Sequence, residues 1–220
     1  MRAIYRVIAL ILVSVTLLSL FSCEKDRKYD EAEVISATRE LLLASVPLNE
    51  IYYGKGLDYK TDGESGIYKA ATVEGLEKYG VSTVEDIKTK TLEVFSDSIA
   101  ETMFSSVFSS ISDDGVIVYY SRYYQAYDEK NNPTEIMVNS KHEYFLTGSI
   151  SYDLESVTVL DVEGEVIKLG VSADVSSKSG KVKTMSLTVR IIEEADGWRL
   201  KSPSYAVYNE STDIYESQNK

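Results

Sequence analysis

The chain is poor in the residues that most often carry chemistry. Its 220 residues include one cysteine, one histidine, one tryptophan and three prolines. One cysteine excludes an intramolecular disulfide, so an oxidising compartment is not used for cross-linking. One histidine excludes a zinc site built on two or three imidazoles. A Ser-His-Asp triad would have to recruit His142, and no G-x-S-x-G elbow exists to present the serine. Gly54-Lys55-Gly56 lacks the further glycine and the following lysine of a phosphate loop. Neither 58–64 nor 113–115 shows the alternating carboxylates of a calcium loop. No cofactor and no metal are expected, and no residue is assigned a catalytic role. Basic residues are also few: 23 against 35 acidic, a net charge of −12. Such a surface repels nucleic-acid phosphates and anionic lipid alike, and favours a cationic partner.

Only one long apolar run is present. It covers 7–21, follows the positive residues Arg2 and Arg6, and ends just before Cys23. A membrane-spanning helix needs about 20 residues, whereas the apolar core of a secretory signal is about 7–15 long. Length and flanks favour a signal peptide, with an N-terminal anchor helix left open by length alone.

Leu20-Phe21-Ser22-Cys23 resembles the lipobox of bacterial lipoproteins, with Leu20 three residues before the cysteine and Ser22 one before it; Phe21 is a less usual residue between them. The resemblance implies a signal peptide at 1–22, lipidation of Cys23, and attachment to the extracytoplasmic face of the bacterial cell envelope. Several acyl chains on one residue hold firmly, at about 0.8 kcal/mol per buried methylene. Cleavage would remove Arg2 and Arg6, leaving 21 basic and 35 acidic residues and a net charge of −14. Residues 23–30 then read as a lipidated cysteine with a charged, solvated tether.

The remainder reads as one α+β domain over 31–208, helical over 31–111 and a β-meander over 113–208. Asp30 with Glu33 has capping-box spacing. Val34, Ala37, Thr38, Leu41, Ser45 and Leu48 share a helical face, and Pro47 marks a break or end. A loop is expected over 58–66, a short strand over 67–71, and a helix over 72–79 stopped by Gly80. Ser82 with Glu85 and Ser98 with Glu101 predict two further helix starts. The faces are Val84, Ile87, Thr91 and Val94, then Ile99, Met103 and Val107 with Phe104 and Phe108. From 113 the period becomes two. One strand is expected over 116–127 and another over 135–151, with His142, Tyr144 and Leu146 on one side. Hairpins follow at 163–165 and near Asp196-Gly197, with a last short strand at 205–208. The tail, 209–220, is polar and expected to fray.

Helices first and antiparallel strands afterwards predict N-terminal helices packed on one face of a curved antiparallel sheet. Ser186 to Ile192, then Asp196-Gly197-Trp198-Arg199-Leu200, resemble the closing strands of the cystatin-like folds typified by nuclear transport factor and the SnoaL-like proteins. That resemblance implies a cystatin-like domain over about 31–208. Residues 66–101 are similar in style to secreted inhibitors of cell-wall DL-endopeptidases, in which a tyrosine-bearing strand leads into two helices. It implies an inhibitor of such enzymes as an alternative role.

Tyrosine is the abundance that offsets these shortages: seventeen, against five phenylalanines. An uninterrupted strand over 118–127 places Tyr120 and Tyr124 on one face and Tyr119, Tyr123 and Tyr127 on the other. Aromatics on both faces suit a groove or a recognition surface, because tyrosine joins apolar area to a polar tip. Long antiparallel strands also use tyrosine in ordinary cross-strand pairs. The candidate ligand-binding residues are Tyr52, Tyr53, Tyr120, Tyr124 and Tyr127, with the loop near Tyr59. The function they suggest is a non-catalytic binding or interaction module for an envelope protein or a small molecule. A small-molecule enzyme with a pocket in the curved sheet, using a tyrosine and a carboxylate as acid and base, is the competing class.

Overall fold

A computed structural model describes residues 29–61, 66–109, 111–113, 116–119, 121–144, 146, 148–209 and 214–216. The apolar run, Cys23, Tyr120 and most of the tether lie outside the described residues. The chain divides into two units after Val34. In the first, Asp30 opens helix α1, Glu31–Tyr53, by accepting the Ala32 amide at 2.9 Å on Oδ1, which satisfies one of the orphan donors of a first turn.

The second unit contains the rest of α1 and all later elements. Helix α1 does not stop at Pro47 but runs through it to Tyr53. Pro47 and Leu43 both lie on the exposed side of the helix. On that side a carbonyl left unpaired by proline, four residues back, can be met by water, so the proline is tolerated. Next come strand β1, Tyr68–Ala70, and helix α2, Val73–Tyr79, capped by Thr72 and closed by Gly80 at φ 61°. Helix α3 is Val84–Val94 and helix α4 is Asp97–Phe108.

Two helix starts differ from the spacing rule. The capping box of α3 uses Thr83 and Asp86, one residue later than Ser82 and Glu85. Asp86 Oδ2 accepts the amides of both Ser82 and Thr83 at 2.8 Å, and these bonds hold its carboxyl below the usual carboxylate range. Helix α4 begins after Ser96, not at Ser98, and without a side-chain cap. The start is fixed instead from outside: the Ser96 amide donates to the Leu200 carbonyl at 2.9 Å, and Phe95 bridges Leu200.

The strands are β2 (Ile111–Asp113), β3 (Val116–Tyr119), β4 (Tyr123–Tyr127), β5 (Pro133–Asn139), β6 (Ile150–Glu163), β7 (Val166–Ser176), β8 (Val182–Glu194), β9 (Gly197–Leu200), β10 (Val207–Asn209) and β11 (Ile214–Glu216). They confirm an α+β chain with antiparallel pairing, but not one continuous sheet. Strands β6-β7-β8-β9 form a four-stranded sheet, β1-β5-β4 a three-stranded one, and β2-β3 and β10-β11 are separate ribbons.

The expected strand over 116–127 is thus two strands in two sheets, separated at the buried pair Ser121-Arg122. Strand β5 ends at Asn139, short of 151. The chain turns there because the His142 amide returns to the Asn139 carbonyl at 3.2 Å. The described part of the tail is not wholly frayed, since Ile214–Glu216 pairs with β10.

The four-stranded sheet obeys the period-two rule. Ile167, Leu169, Val171, Ala173 and Val175 of β7 face inward with Met185, Leu187, Val189 and Ile191 of β8. The opposite face carries Lys168, Ser172, Thr184, Ser186, Thr188 and Arg190. Edge strand β6 has register shifts between Asp153 and Thr158 and between Val159 and Asp161, irregularities that discourage edge-to-edge pairing.

Candidate functional site

Of the tyrosines singled out in the sequence, Tyr52, Tyr53 and Tyr123 meet around the C-terminal end of α1. Tyr52 is 2% exposed, because it falls on the helical face that α3 and α4 cover. Its hydroxyl and Thr91 Oγ1 share a hydrogen bond at 2.9 Å, and its ring meets Phe108 edge-on at 6.0 Å. Tyr53, half-buried, packs on Tyr205 with ring centres 4.6 Å apart. Burial raises the pKa of Tyr52, Tyr53 and Tyr205, the last to about 12. These phenols hold their protons and are poor bases at neutral pH.

Arg122, which the sequence reading did not single out, and Tyr123, placed there only by its strand face, lock this end of the helix. Arg122 is 3% exposed. Its guanidinium donates to the carbonyls of Tyr52 at 3.1 Å, Gly54 at 2.7 Å and Lys55 at 2.7 Å. A cation at the C-terminus of a helix meets the negative end of the dipole and its unpaired carbonyls. Among the described residues no carboxylate is bonded to it. The next residue, Tyr123, is fully buried; its hydroxyl donates to Ile51 O at 2.9 Å and accepts the Leu57 amide at 3.3 Å. Gly56, at φ 76°, leaves room for this pair: a Cβ there would run into the Tyr123 hydroxyl and lie 2.5 Å from the Arg122 guanidinium. The signal that could have revealed the lock is an arginine flanked by tyrosines inside an otherwise apolar segment.

The same device recurs twice. Arg199 on β9 donates to the Leu92 carbonyl of α3 at 2.7 Å and to the Asp196 carboxylate at 2.7 Å. Arg39 on α1 donates to the Leu154 carbonyl of β6 at 2.8 Å and to Glu155 at 3.1 Å. These arginines fasten helices to strands. The tyrosine–arginine cluster is therefore largely a packing centre.

The exposed tyrosines sit elsewhere, on the three-stranded sheet. Tyr124 is 41% exposed and Tyr127 57%. Tyr124 meets Tyr68 of β1 edge-on at 4.8 Å, across Met137 of β5, with which it is paired. Tyr68 is positioned by its hydroxyl, which donates to the Ser121 carbonyl at 2.8 Å. This outward face presents one exposed ring, one half-buried ring and a thioether. Tyr127 follows on the same strand beyond a register shift, and Tyr144 is 45% exposed.

No family model, curated protein or solved structure matches this chain.

The remaining chemistry is sparse. Among the described residues no group of three or more His, Cys, Asp or Glu is placed to hold a metal. Among the same residues no helix is long and apolar enough to cross a membrane. His142 is half-buried in the turn after β5, where burial lowers its pKa and Arg122 adds to the effect. Tyr53, Tyr124 and Tyr127 do not form one surface: Tyr53 packs against Tyr205, while the other two lie on β4. Tyr59 joins the rim of the three-stranded sheet through a bridge to Ala71.

Proposed function

We propose that this chain is a lipid-anchored protein of the bacterial cell envelope, exported by its first 22 residues, attached to the membrane through Cys23, and acting as a non-catalytic binding module. The observation that carries the binding role is the contrast among tyrosines. Tyr52 and Tyr123 spend their hydroxyls inside the fold, whereas Tyr124 and Tyr127 leave large amphipathic rings in solvent on a firm strand. Exposed tyrosine on a rigid element offers contact area at a low entropic cost. The cystatin-like reading of the domain rests on the order of helices followed by hairpins, closing on the turn before Trp198.

The anchor is tested with Cys23→Ala. Detergent-free membrane fractions should retain the unmodified sequence and lose most of the variant to the soluble fraction, and a clickable palmitate label should appear only on the former. Full membrane retention of an unlabelled, uncleaved variant would point to a plain signal anchor and end the lipoprotein reading.

A second reading is supported by the strand–helix–helix order of β1, α2 and α3 and by the acidic surface, which suits a basic wall hydrolase. In that case the soluble domain, residues 24–220, slows wall lysis by a DL-endopeptidase at micromolar concentration. Unchanged lysis removes the inhibitor role.

A further inference from the structure

Asn49, on the same side of α1 as Ser45, is 1% exposed. Its Nδ2 donates to Ser204 Oγ at 2.9 Å. Its Oδ1 is a buried acceptor with no hydrogen-bond partner among the described residues. The surroundings are polar rather than greasy. The Tyr152 hydroxyl of β6 donates to the Ser204 carbonyl and also meets the Ser45 side chain, and Ser45 Oγ donates to the Leu42 carbonyl at 2.7 Å. Ser202, buried two residues before Ser204, accepts the Arg190 amide of β8 at 2.9 Å. Helix α1, the β6 edge and the 202–204 segment thus converge on a small polar core.

Among the described residues, Asn49 Oδ1 is the one buried polar side-chain atom of this core without a hydrogen-bond partner. Exchanging the amide's nitrogen and oxygen moves the deficit without curing it, because Ser204 Oγ then bonds the oxygen and leaves the nitrogen over. Buried polar atoms are almost always satisfied by protein or by ordered water. A charged ligand is disfavoured: no opposite charge stands among these partners, and burying an unpaired ion is costly. A neutral donor small enough for a packed interface is water, and such internal waters make about three hydrogen bonds to groups of this kind.

We infer that Asn49, Ser45, Tyr152 and Ser204 form an internal hydration site, in which one long-lived water donates to the Asn49 side chain and joins α1 to β6 and the 202–204 segment. This places a solvent molecule, rather than a ligand pocket, at the polar centre of the domain.

The test uses the soluble chain, residues 24–220. Water-selective ROESY should give a cross-peak between water and the Asn49 side-chain amide protons, with a sign indicating a residence time above a nanosecond. Deuteron relaxation dispersion should lose the amplitude of one long-lived water in Asn49→Leu, with folding verified by near-ultraviolet circular dichroism. An unchanged dispersion amplitude in folded Asn49→Leu overturns the inference. So does a high-resolution crystal structure in which both the nitrogen and the oxygen of the Asn49 side chain have protein partners within about 3.2 Å, a distance at the upper limit of a good hydrogen bond. Should Asn49→Leu not fold, the unmodified chain decides: the cross-peak supports the site and its absence rejects it.

Discussion

Between pH 10 and 12 the folded state should lose at least about 2–3 kcal/mol of stability per pH unit, the share of Tyr52 and Tyr123 alone, to which Tyr53, Tyr152 and Tyr205, also raised by burial, add. The source is the buried phenols. Tyr52 and Tyr123 have an ordinary value of 10.0 when exposed, and burial raises both, Tyr123 to about 12. The unfolded chain therefore gives up these two protons near pH 10, while the folded chain keeps them. Where the folded state holds more protons than the unfolded one, stability falls as pH rises. Each such group contributes about 1.4 kcal/mol per pH unit over the window between its two values. Their contribution is fully present below pH 10. Urea denaturation at pH 9, 10, 11 and 12 measures the slope. Tyr123→Phe should flatten it by about 1.4 kcal/mol per pH unit, despite lowering stability at pH 9 through loss of the bonds to Ile51 and Leu57. A profile that stays level to pH 12 would show that these hydroxyls are in contact with solvent.

Replacing Arg122 by alanine should cost about 3–5 kcal/mol, because the carbonyls it serves are left without a donor, at about 1–3 kcal/mol for each buried polar group left unsatisfied. Three carbonyls at the end of α1 lose their donor at once. The space vacated lies against Tyr123, whose ring sits 5.2 Å from the guanidinium carbon. Arg122→Lys restores only part of the loss, because one ammonium does not reproduce the planar fork that reaches residues 52, 54 and 55 together. The midpoint of urea unfolding reads both effects at neutral pH. A loss below about 1 kcal/mol in Arg122→Ala, the scale of an exposed pair, would mean that water replaces the arginine at no great cost.

Periodicity made the α+β class and the long hairpin legible. The Val84, Ile87, Thr91 and Val94 face is buried as spaced, and β7 and β8 alternate as the sequence alternates. Local rules failed where a distant partner decided the matter. Helix α4 starts where Leu200 captures the Ser96 amide, an event about a hundred residues removed in sequence. The strand over 116–127 is divided because Arg122 turns inward toward α1, and alternation alone has no means of counting a side chain bound to another element's backbone. Pro47 misled for the opposite reason: its penalty depends on the surroundings of the freed carbonyl, and here Leu43 and Pro47 both lie on the exposed side of the helix. Among the candidate site residues, tyrosine content was informative but its division was not. Alternation sets Tyr123 and Tyr124 on opposite faces but not which face is covered: Tyr123 is fully buried and Tyr124 41% exposed, while Tyr127, placed on the face of Tyr123, is 57% exposed.

The arginine clamps also bear on how this sequence tolerates change. Their receiving atoms at residues 52, 54, 55, 92 and 154 are main-chain carbonyls. A carbonyl is present whatever side chain its residue carries, so no particular amino acid is needed to accept the bond. The constraint falls on one partner alone: the arginine is specified and its acceptor is supplied by the chain itself. At an exposed receiving position such as Leu92, 40% exposed, the residue can change without a compensating change at the arginine, whereas the carboxylates of Asp196 and Glu155, which Arg199 and Arg39 also hold, remain paired constraints.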